Sequence, residues 1–340
     1  MEDLTPLRIG IVGAGANTRE RHLPGFLGLA EVEVTVVANR SRASSQRVAD
    51  EFSIARIAPD WRAVVADPAV DAVCIGTWPY LHAEISCAAL AAGKHVLTEA
   101  RMARNATEAE TMLVASQARP DLIAQVVPSP MTLRVDATIR RMITEGELGD
   151  VREIDVTHTT GNGADSSAPM SWRQDFELSG HNTMSLGIYY EAVLRWMQED
   201  VEVVHATASI HTPQRRRRDG STATVRIPDS LTVLGRYAQG ARLVMQVSAV
   251  ERGLPRNEIR IHGSRGSLRL DVATEELWWC PASGLENRLE ISADRNSGWQ
   301  VEADFVDSIR NGAPVRLTDF ATGLRTMRFT DAVWSAWSGE

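Results

Sequence analysis

The chain has 340 residues, a formal net charge of −8, 44 % apolar residues and 24 % charged ones. That length suits two domains better than one, and the balance is that of a soluble globular protein with a sizeable core. The mild acidity argues against nucleic acid or an anionic membrane as a partner. No apolar run is long enough to span a bilayer, and the opening Met-Glu-Asp-Leu-Thr-Pro lacks the basic and apolar regions of a signal peptide, so a cytoplasmic protein is expected. Cys74, Cys87 and Cys280 are scattered without metal-ligand spacing, which fits a reducing compartment; no metal site is expected.

In chain order, Leu7–Val12 is a short β-rich run ending in glycines. Val32–Ala38, Asp71–Gly76, His95–Thr98 and Leu122–Val127 follow as strands, with helical patterns between them. The helix over Tyr80–Ala92 places Leu81, Ile85, Ala88 and Ala92 on one face. Alternating strands and helices imply right-handed crossovers and a parallel sheet covered on both faces. The expected class is therefore α/β, with a doubly wound Rossmann domain over residues 1–127. After Pro128-Ser-Pro130 comes a helix over Thr132–Glu145, then longer β-branched strands at Val151–Thr159, Val201–His211 and Leu231–Ala238. Gln239-Gly240 turns into Ala241–Val250, and Glu258–Ile261 with Leu268–Val272 forms another hairpin. Helices near Gln300–Asn311 and Asp319–Trp337 close the chain. Residues 128–340 thus read as an α+β domain on a large, mostly antiparallel open sheet. Helices cover only one face of such a sheet; an uncovered apolar face predicts a homodimer or homotetramer. The run Arg215–Arg218 before Asp219-Gly220 reads as a solvated hairpin loop, with a phosphate or partner contact as the alternative.

Gly13-Ala-Gly15 follows a strand and precedes a helix, as a pyrophosphate-binding turn requires. The first glycine permits the tight turn and the second lets the phosphates approach the backbone; the third fingerprint position is Thr18. The second strand ends in Ala38-Asn39-Arg40-Ser41-Arg42, without the carboxylate that grips a ribose 2′-hydroxyl. Arg40 and Arg42 offer guanidiniums to a 2′-phosphate, so NADP(H) is favoured over NAD(H). In the NAD alternative, Asn39 bonds the 2′-hydroxyl and the arginines are solvated.

The glycine turn followed by Arg21-His22-Leu-Pro24 resembles the start of the glucose–fructose oxidoreductase / inositol dehydrogenase / MocA family. So does Gly76-Thr-Trp-Pro79 with His82, running into Ala89–Val96. Further echoes are Gly146-Glu-Leu-Gly149, Trp172-Arg173, Leu186-Gly-Ile-Tyr189, the Gly263…Gly266 hairpin and the helix after Asp304-Phe305. The resemblance implies NAD(P)-dependent oxidation or reduction of a sugar, cyclitol or related polyol or keto-sugar. It implies cofactor contacts from Ala16, Asn17, Thr18, Thr77, Trp78, Pro79, His82 and Glu99, and a cleft lined by Trp172 and Arg173.

Two departures bear on the chemistry. The family's Glu-Lys-Pro motif, whose lysine assists proton transfer, aligns with Glu99-Ala100-Arg101. Its Asp-x-Gly-x-His motif aligns with Ser185-Leu-Gly187-Ile-Tyr189. A tyrosine of lowered pKa or a histidine exchanging a proton near neutral pH can replace the missing group. Tyr189 and His181 are the candidates, and Asn182 beside His181 can orient a hydroxyl. The alternative is a non-catalytic dinucleotide-binding sensor or regulator on the same scaffold.

Overall fold

Six parallel strands form the first sheet: β1 (Leu7–Val12), β2 (Val32–Ala38), β3 (Arg56–Ile57), β4 (Ala72–Ile75), β5 (His95–Thr98) and β6 (Ala124–Val126), in the order β3-β2-β1-β4-β5-β6. The computed structural model describes residues 5–181, 185–292 and 298–340. Between the strands run a π-helical segment (Thr18–His22) continuing into α1 (Leu23–Leu27), then α2 (Arg42–Phe52), α3 (Trp61–Ala66), α4 (His82–Ala91) and α5 (Ala106–Gln117). Ile9, Ile11, Val36, Val37 and the whole of β4 are buried on both faces. That is why these strands read as continuous apolar runs rather than alternations. Side-chain oxygens of Ser41, Asp60 and Asn105 cap α2, α3 and α5, each accepting from the backbone three residues on.

The chain forms two compact units, residues 1–128 with 300–324, and 129–299 with 325–340. The return of 300–324 corrects the assignment of everything after 127 to the second domain. Helix α9 (Val301–Asn311) sets Phe305 edge-on to Phe26 at 6.5 Å, and Val126 N–H donates to the Thr318 carbonyl at 2.9 Å. Periodicity finds a helix at 300–311 but carries no information about which core receives it.

The second unit contains α6 (Asp136–Thr144), β7 (Val151–Thr159), the single turn α7 (Phe176–Ser179), α8 (Leu186–Met197) and β8 (Glu202–Ser209). A hairpin of β9 (Gln214–Arg216) and β10 (Thr222–Thr224) follows, then β11 (Ser230–Arg236), β12 (Arg242–Ser248), β13 (Arg256–Gly263), β14 (Gly266–Asp271), β15 (Glu276–Pro281) and β16 (Asn287–Arg288). Most of helix α10 (Phe320–Ser338) completes this unit. The eight-stranded sheet runs β16-β15-β14-β13-β7-β12-β11-β8 and is antiparallel except for the β7–β12 pair. Ile154, Val156, Val233, Leu243, Met245, Ile259 and Leu268 point into one core with Tyr189, Tyr190 and Val193 of α8. The other face is mixed rather than wholly apolar, with Leu234, Val244 and Trp278 on it. It carries Asp155, Thr157, Glu258, Arg260, His262 and Arg269, with His262 Nε2 3.3 Å from Asp155 Oδ2 and Arg260 Nε 2.6 Å from Glu258 Oε1. The arginine run is not wholly solvated either. Arg215 is buried and donates to the carbonyls of Asp165 (2.8 Å), Ala168 (3.1 Å) and Gly163 (2.7 Å).

At the start of this unit, Arg195 lies buried between Glu191 (2.5 Å) and Asp136 (2.8 Å), and Trp196 Nε1 donates to Asp136 at 2.6 Å. Glu191 also accepts from Ser129 N–H at 2.8 Å, so it serves this network. Removing one partner strands a desolvated charge. Arg195→Ala is expected to lower unfolding free energy by about 3–5 kcal/mol, read as a lower midpoint in urea denaturation.

Candidate active site

The turn after β1 brings three strand ends together. Gly13 has φ of +83°, and a Cβ there would lie 2.7 Å from Thr77 Cγ2 and 2.8 Å from its nitrogen, so only glycine fits. At Gly15 the nearest atom to such a Cβ is Gly76 O at 3.7 Å, leaving open space for a phosphate to approach the backbone. Thr18 is buried, and its hydroxyl donates to the Gly13 carbonyl at 3.3 Å, bracing the turn. A cavity of about 460 Å³ opens beside this turn. It brings together Gly13, Gly15, Asn39, Arg40, Thr77 and Trp78 of the expected cofactor residues, and adds Ser44, Arg47, Asp60 and Trp61. Its size, glycine floor and cationic rim suit a dinucleotide. Arg42 lies outside this lining and Arg47, one helical turn and a half further on, lies within it. No sequence signal separates the two, because both are exposed arginines on α2.

Asn39 is already engaged at the turn. Its Oδ1 accepts from Ala14 N–H at 2.6 Å, and its Nδ2 donates to Ser44 O at 3.2 Å and Ser44 Oγ at 3.1 Å. Arg40 stands over the Trp78 ring at 5.9 Å. Ala16, Asn17, Pro79, His82 and Glu99 also lie outside the cavity lining. His82 is buried, with Nδ1 2.9 Å from the Arg101 carbonyl and Nε2 3.0 Å from the Thr77 carbonyl. Burial lowers its pKa against the pull of those carbonyls, and the ring ties the loop after β4 to the loop after β5. Glu99 accepts from Asn17 Nδ2 at 2.5 Å and lies 3.1 Å from His22 Nε2. Ala100 occupies the lysine position, and the chain contains one lysine, Lys94. Its ammonium is bound to the Asp67 and Val70 carbonyls at 3.0 and 2.6 Å, so it serves the sheet edge.

In the second unit the expected residues fall into two groups. Tyr189 is buried, and its hydroxyl donates to Asn257 Oδ1. With that proton committed, His158 Nδ1 at 2.9 Å must donate to the phenol oxygen, which fixes the His158 tautomer. Asn257 and His158 are directly paired on β13 and β7, a register that sequence alone does not reveal. Burial pushes the Tyr189 pKa above its ordinary value, against the lowering by Asn257. The second group centres on His181. Its Nδ1 is 2.8 Å from Asp331 Oδ1, and its ring stacks on Trp334 at 4.8 Å and 14°. A carboxylate accepts only, so Nδ1 carries a proton, and in the neutral ring the lone pair is then on Nε2. Asp331 lies 150 residues along the chain and was not foreseen. Asn182 lies outside the described residues. Trp172 opens a short 3₁₀ turn closed by a Ser171–Gln174 capping box, and the Arg173 guanidinium lies over the Trp172 ring at 4.4 Å.

A doubly wound unit with a glycine-floored dinucleotide cavity, joined in one chain to an α+β unit, defines a Rossmann-type oxidoreductase architecture. The family model described as an oxidoreductase family with an NAD-binding Rossmann fold matches residues 7–126, and the Gfo/Idh/MocA C-terminal domain model matches 137–269. The chain belongs to the Gfo/Idh/MocA family of oxidoreductases and carries its NAD-binding fold. Levoglucosan dehydrogenase of Pseudarthrobacter phenanthrenivorans is 26 % identical over 286 residues, 77 % of this chain and 73 % of that protein. The dTDP-3,4-didehydro-2,6-dideoxy-alpha-D-glucose 3-reductase of Saccharopolyspora spinosa is 29 % identical over 184 residues, 54 % of each chain. A solved levoglucosan dehydrogenase in complex with NADH and levoglucosan shares the fold, with a TM-score of 0.87 and 23 % identity over 98 % of both chains.

The two glycines should separate folding from binding. Gly15→Ala is expected to unfold within about 0.5 kcal/mol of the parent, since its Cβ would make only an ordinary van der Waals contact with Gly76 O, while weakening NADH binding at least tenfold by fluorescence titration. Gly13→Ala should lose both, with roughly 1–2 kcal/mol of stability from the left-handed backbone alone.

Proposed function

We propose that the protein is an NADP(H)-preferring dehydrogenase or reductase of a sugar or related polyol, in which His181, oriented by Asp331, exchanges the hydroxyl proton. The observation that carries this reading is the 2.8 Å contact between His181 Nδ1 and Asp331, which leaves Nε2 as the basic atom. The level of sequence similarity to levoglucosan dehydrogenase supports a carbohydrate-like substrate. Gly13 and Gly15 would hold the pyrophosphate against the backbone, with Arg40, Ser41 and Arg47 toward a 2′-phosphate. A bound nicotinamide supplies hydride acceptor or donor chemistry at its C4. His181 Nε2 takes the proton as the carbinol is oxidised and returns it in the reverse direction. Asp331 holds the ring in the required tautomer and stabilises the imidazolium that forms. Tyr189 is the weaker candidate for this role, because its proton is committed to Asn257 and burial opposes the phenolate. It orients His158 and Asn257 on the inner sheet surface.

A second reading is a dinucleotide-binding sensor. Ala100 at the lysine position, with Lys94 held elsewhere, favours it. A screen of polyols and keto-sugars with both cofactors separates the two, since ligand binding without any change in nicotinamide absorbance selects the sensor.

With an authentic substrate, His181→Ala and Asp331→Asn should each lower kcat about 10²–10⁴-fold with little change in cofactor affinity, whereas Tyr189→Phe should cost less than about tenfold. A larger loss from Tyr189→Phe than from His181→Ala would reverse the assignment. Replacing both Arg40 and Arg47 by Ala should weaken NADPH binding by about tenfold or more and leave NADH binding nearly unchanged. Tighter binding of NADH by the parent protein would reject the NADP preference. The same reading includes a homodimer or homotetramer built on the mixed outer sheet face; light scattering at micromolar concentration should give a mass that is a multiple of the chain's.

A further inference from the structure

The Arg21-His22-Leu23-Pro24-Gly25 stretch holds a buried charge cluster that cofactor contacts do not explain. The His22 side chain is 0 % exposed and sits between two carboxylates, with Nδ1 2.5 Å from Glu302 Oε1 and Nε2 3.1 Å from Glu99 Oε1. Glu302 enters from α9, 280 residues along the chain. The space it occupies is made by a glycine. A Cβ on Gly25 would lie 2.6 Å from Glu302 Oε2 and 2.7 Å from its Cδ, so only a residue without a side chain admits the carboxylate. On the other side, Glu99 accepts from the Asn17 amide at 2.5 Å, and Asn17 opens the helical segment that follows Gly15. Glu99 itself is fixed at the end of β5 by its N–H donating to the Ile75 carbonyl at 3.0 Å. A chain of contacts thus runs from α9 through His22 to the glycine turn.

With a carboxylate on each ring nitrogen, both nitrogens must donate, and the species that does so is the imidazolium. We propose that His22 is a positioning residue for the dinucleotide: clamped between Glu99 and Glu302, it holds Glu99 and, through it, Asn17 in the arrangement that presents the glycine turn to the cofactor. Glu302 and Gly25 are the parts that hold the clamp shut. The step from cluster to cofactor uses the NAD-binding family assignment and does not depend on His181 or on the substrate.

The pH behaviour follows from the surroundings. Burial alone would discharge His22, but its hydrogen bonds to Glu302 and Glu99 carry its pKa up to about 9. Burial would also raise Glu99; the hydrogen bonds from His22 and Asn17 outweigh it and hold Glu99 low. The other titratable groups facing the cluster are Cys74 on β4 and His82 on α4. Burial and then the two carboxylates keep the Cys74 thiol protonated, and burial lowers His82, so its ring stays neutral in alkaline solution. Above neutral pH, His22 is therefore the group of this cluster that changes charge. A raised pKa stabilises the folded form fully below the ordinary histidine value near 6.5 and loses that contribution as pH rises through about 9.

The test is NADH affinity measured by fluorescence titration from pH 7 to 10, beside thermal unfolding of the unliganded protein. For the parent, affinity should fall at least threefold as pH passes about 9. Glu302→Gln keeps an acceptor for Nδ1 but removes one charge; it should move that midpoint down by roughly one unit or more. Gly25→Ala, which displaces Glu302, should do the same. The double variant His22→Gln with Glu302→Gln keeps the net charge of the parent cluster, now on Glu99 alone, which the Asn17 amide still meets, so it should fold. It should bind NADH about tenfold more weakly than the parent at pH 7, with affinity flat across the range. Parental affinity and an unchanged pH midpoint in folded Glu302→Gln and in the double variant would overturn the proposal, as would a loss of stability with no change in either.

Discussion

A charge taken out of water must be met by another charge or by a full set of hydrogen bonds, because the desolvation cost is several kcal/mol per ion. That constraint decides which polar residues of this chain are scaffold. Arg195 is held by Glu191 and Asp136, Arg215 by three carbonyls, His22 by two carboxylates. Each network ties together segments far apart in sequence: 129–136 to α8, the 163–168 loop to the β9–β10 hairpin, and α9 to the glycine turn. His181 and Asp331, each about a quarter exposed, lie outside these buried networks.

The proton-handling problem is sharpened by composition. A chain with 36 basic residues but one lysine has moved almost all of its cationic work to arginine. Arginine forms bidentate pairs and lies over rings, as Arg173 does over Trp172 and Arg226 over Phe176 at 3.9 Å. It does not give up a proton near neutral pH. Of the imidazole and phenol candidates for acid–base exchange, burial separates the two, raising Tyr189 while His181 keeps access to solvent.

What could be read in the sequence followed from local rules. Strands β1, β2, β5 and β7 lie on the residues anticipated, because apolar runs bounded by turns are decided within a few residues. The glycine turn was legible because φ above zero at Gly13 demands glycine. Helix α8 was not marked as an element, since ten of its twelve residues are buried, the polar pair Glu191 and Arg195 among them. The short β3 depends on its pairing partner rather than on its own residues. The partners of the site residues were hidden for the same reason. Asp331, Asn257 and Glu302 are ordinary polar residues until the fold sets them against His181, Tyr189 and His22.

The late return of residues 300–324 has a consequence for synthesis. When Pro128 leaves the ribosome, all six strands of the first sheet exist, yet the cluster under the glycine turn lacks Glu302. At ordinary elongation rates, α9 arrives roughly ten to thirty-five seconds later, after most of the second unit has been made. Until then His22 has only Glu99 to meet it, and the face that receives Phe305 is open to water. The nascent first unit is therefore an unfinished fold that waits for its own C-terminal segment, and a ribosome stalled before residue 300 would leave it exposed to chaperones and proteases.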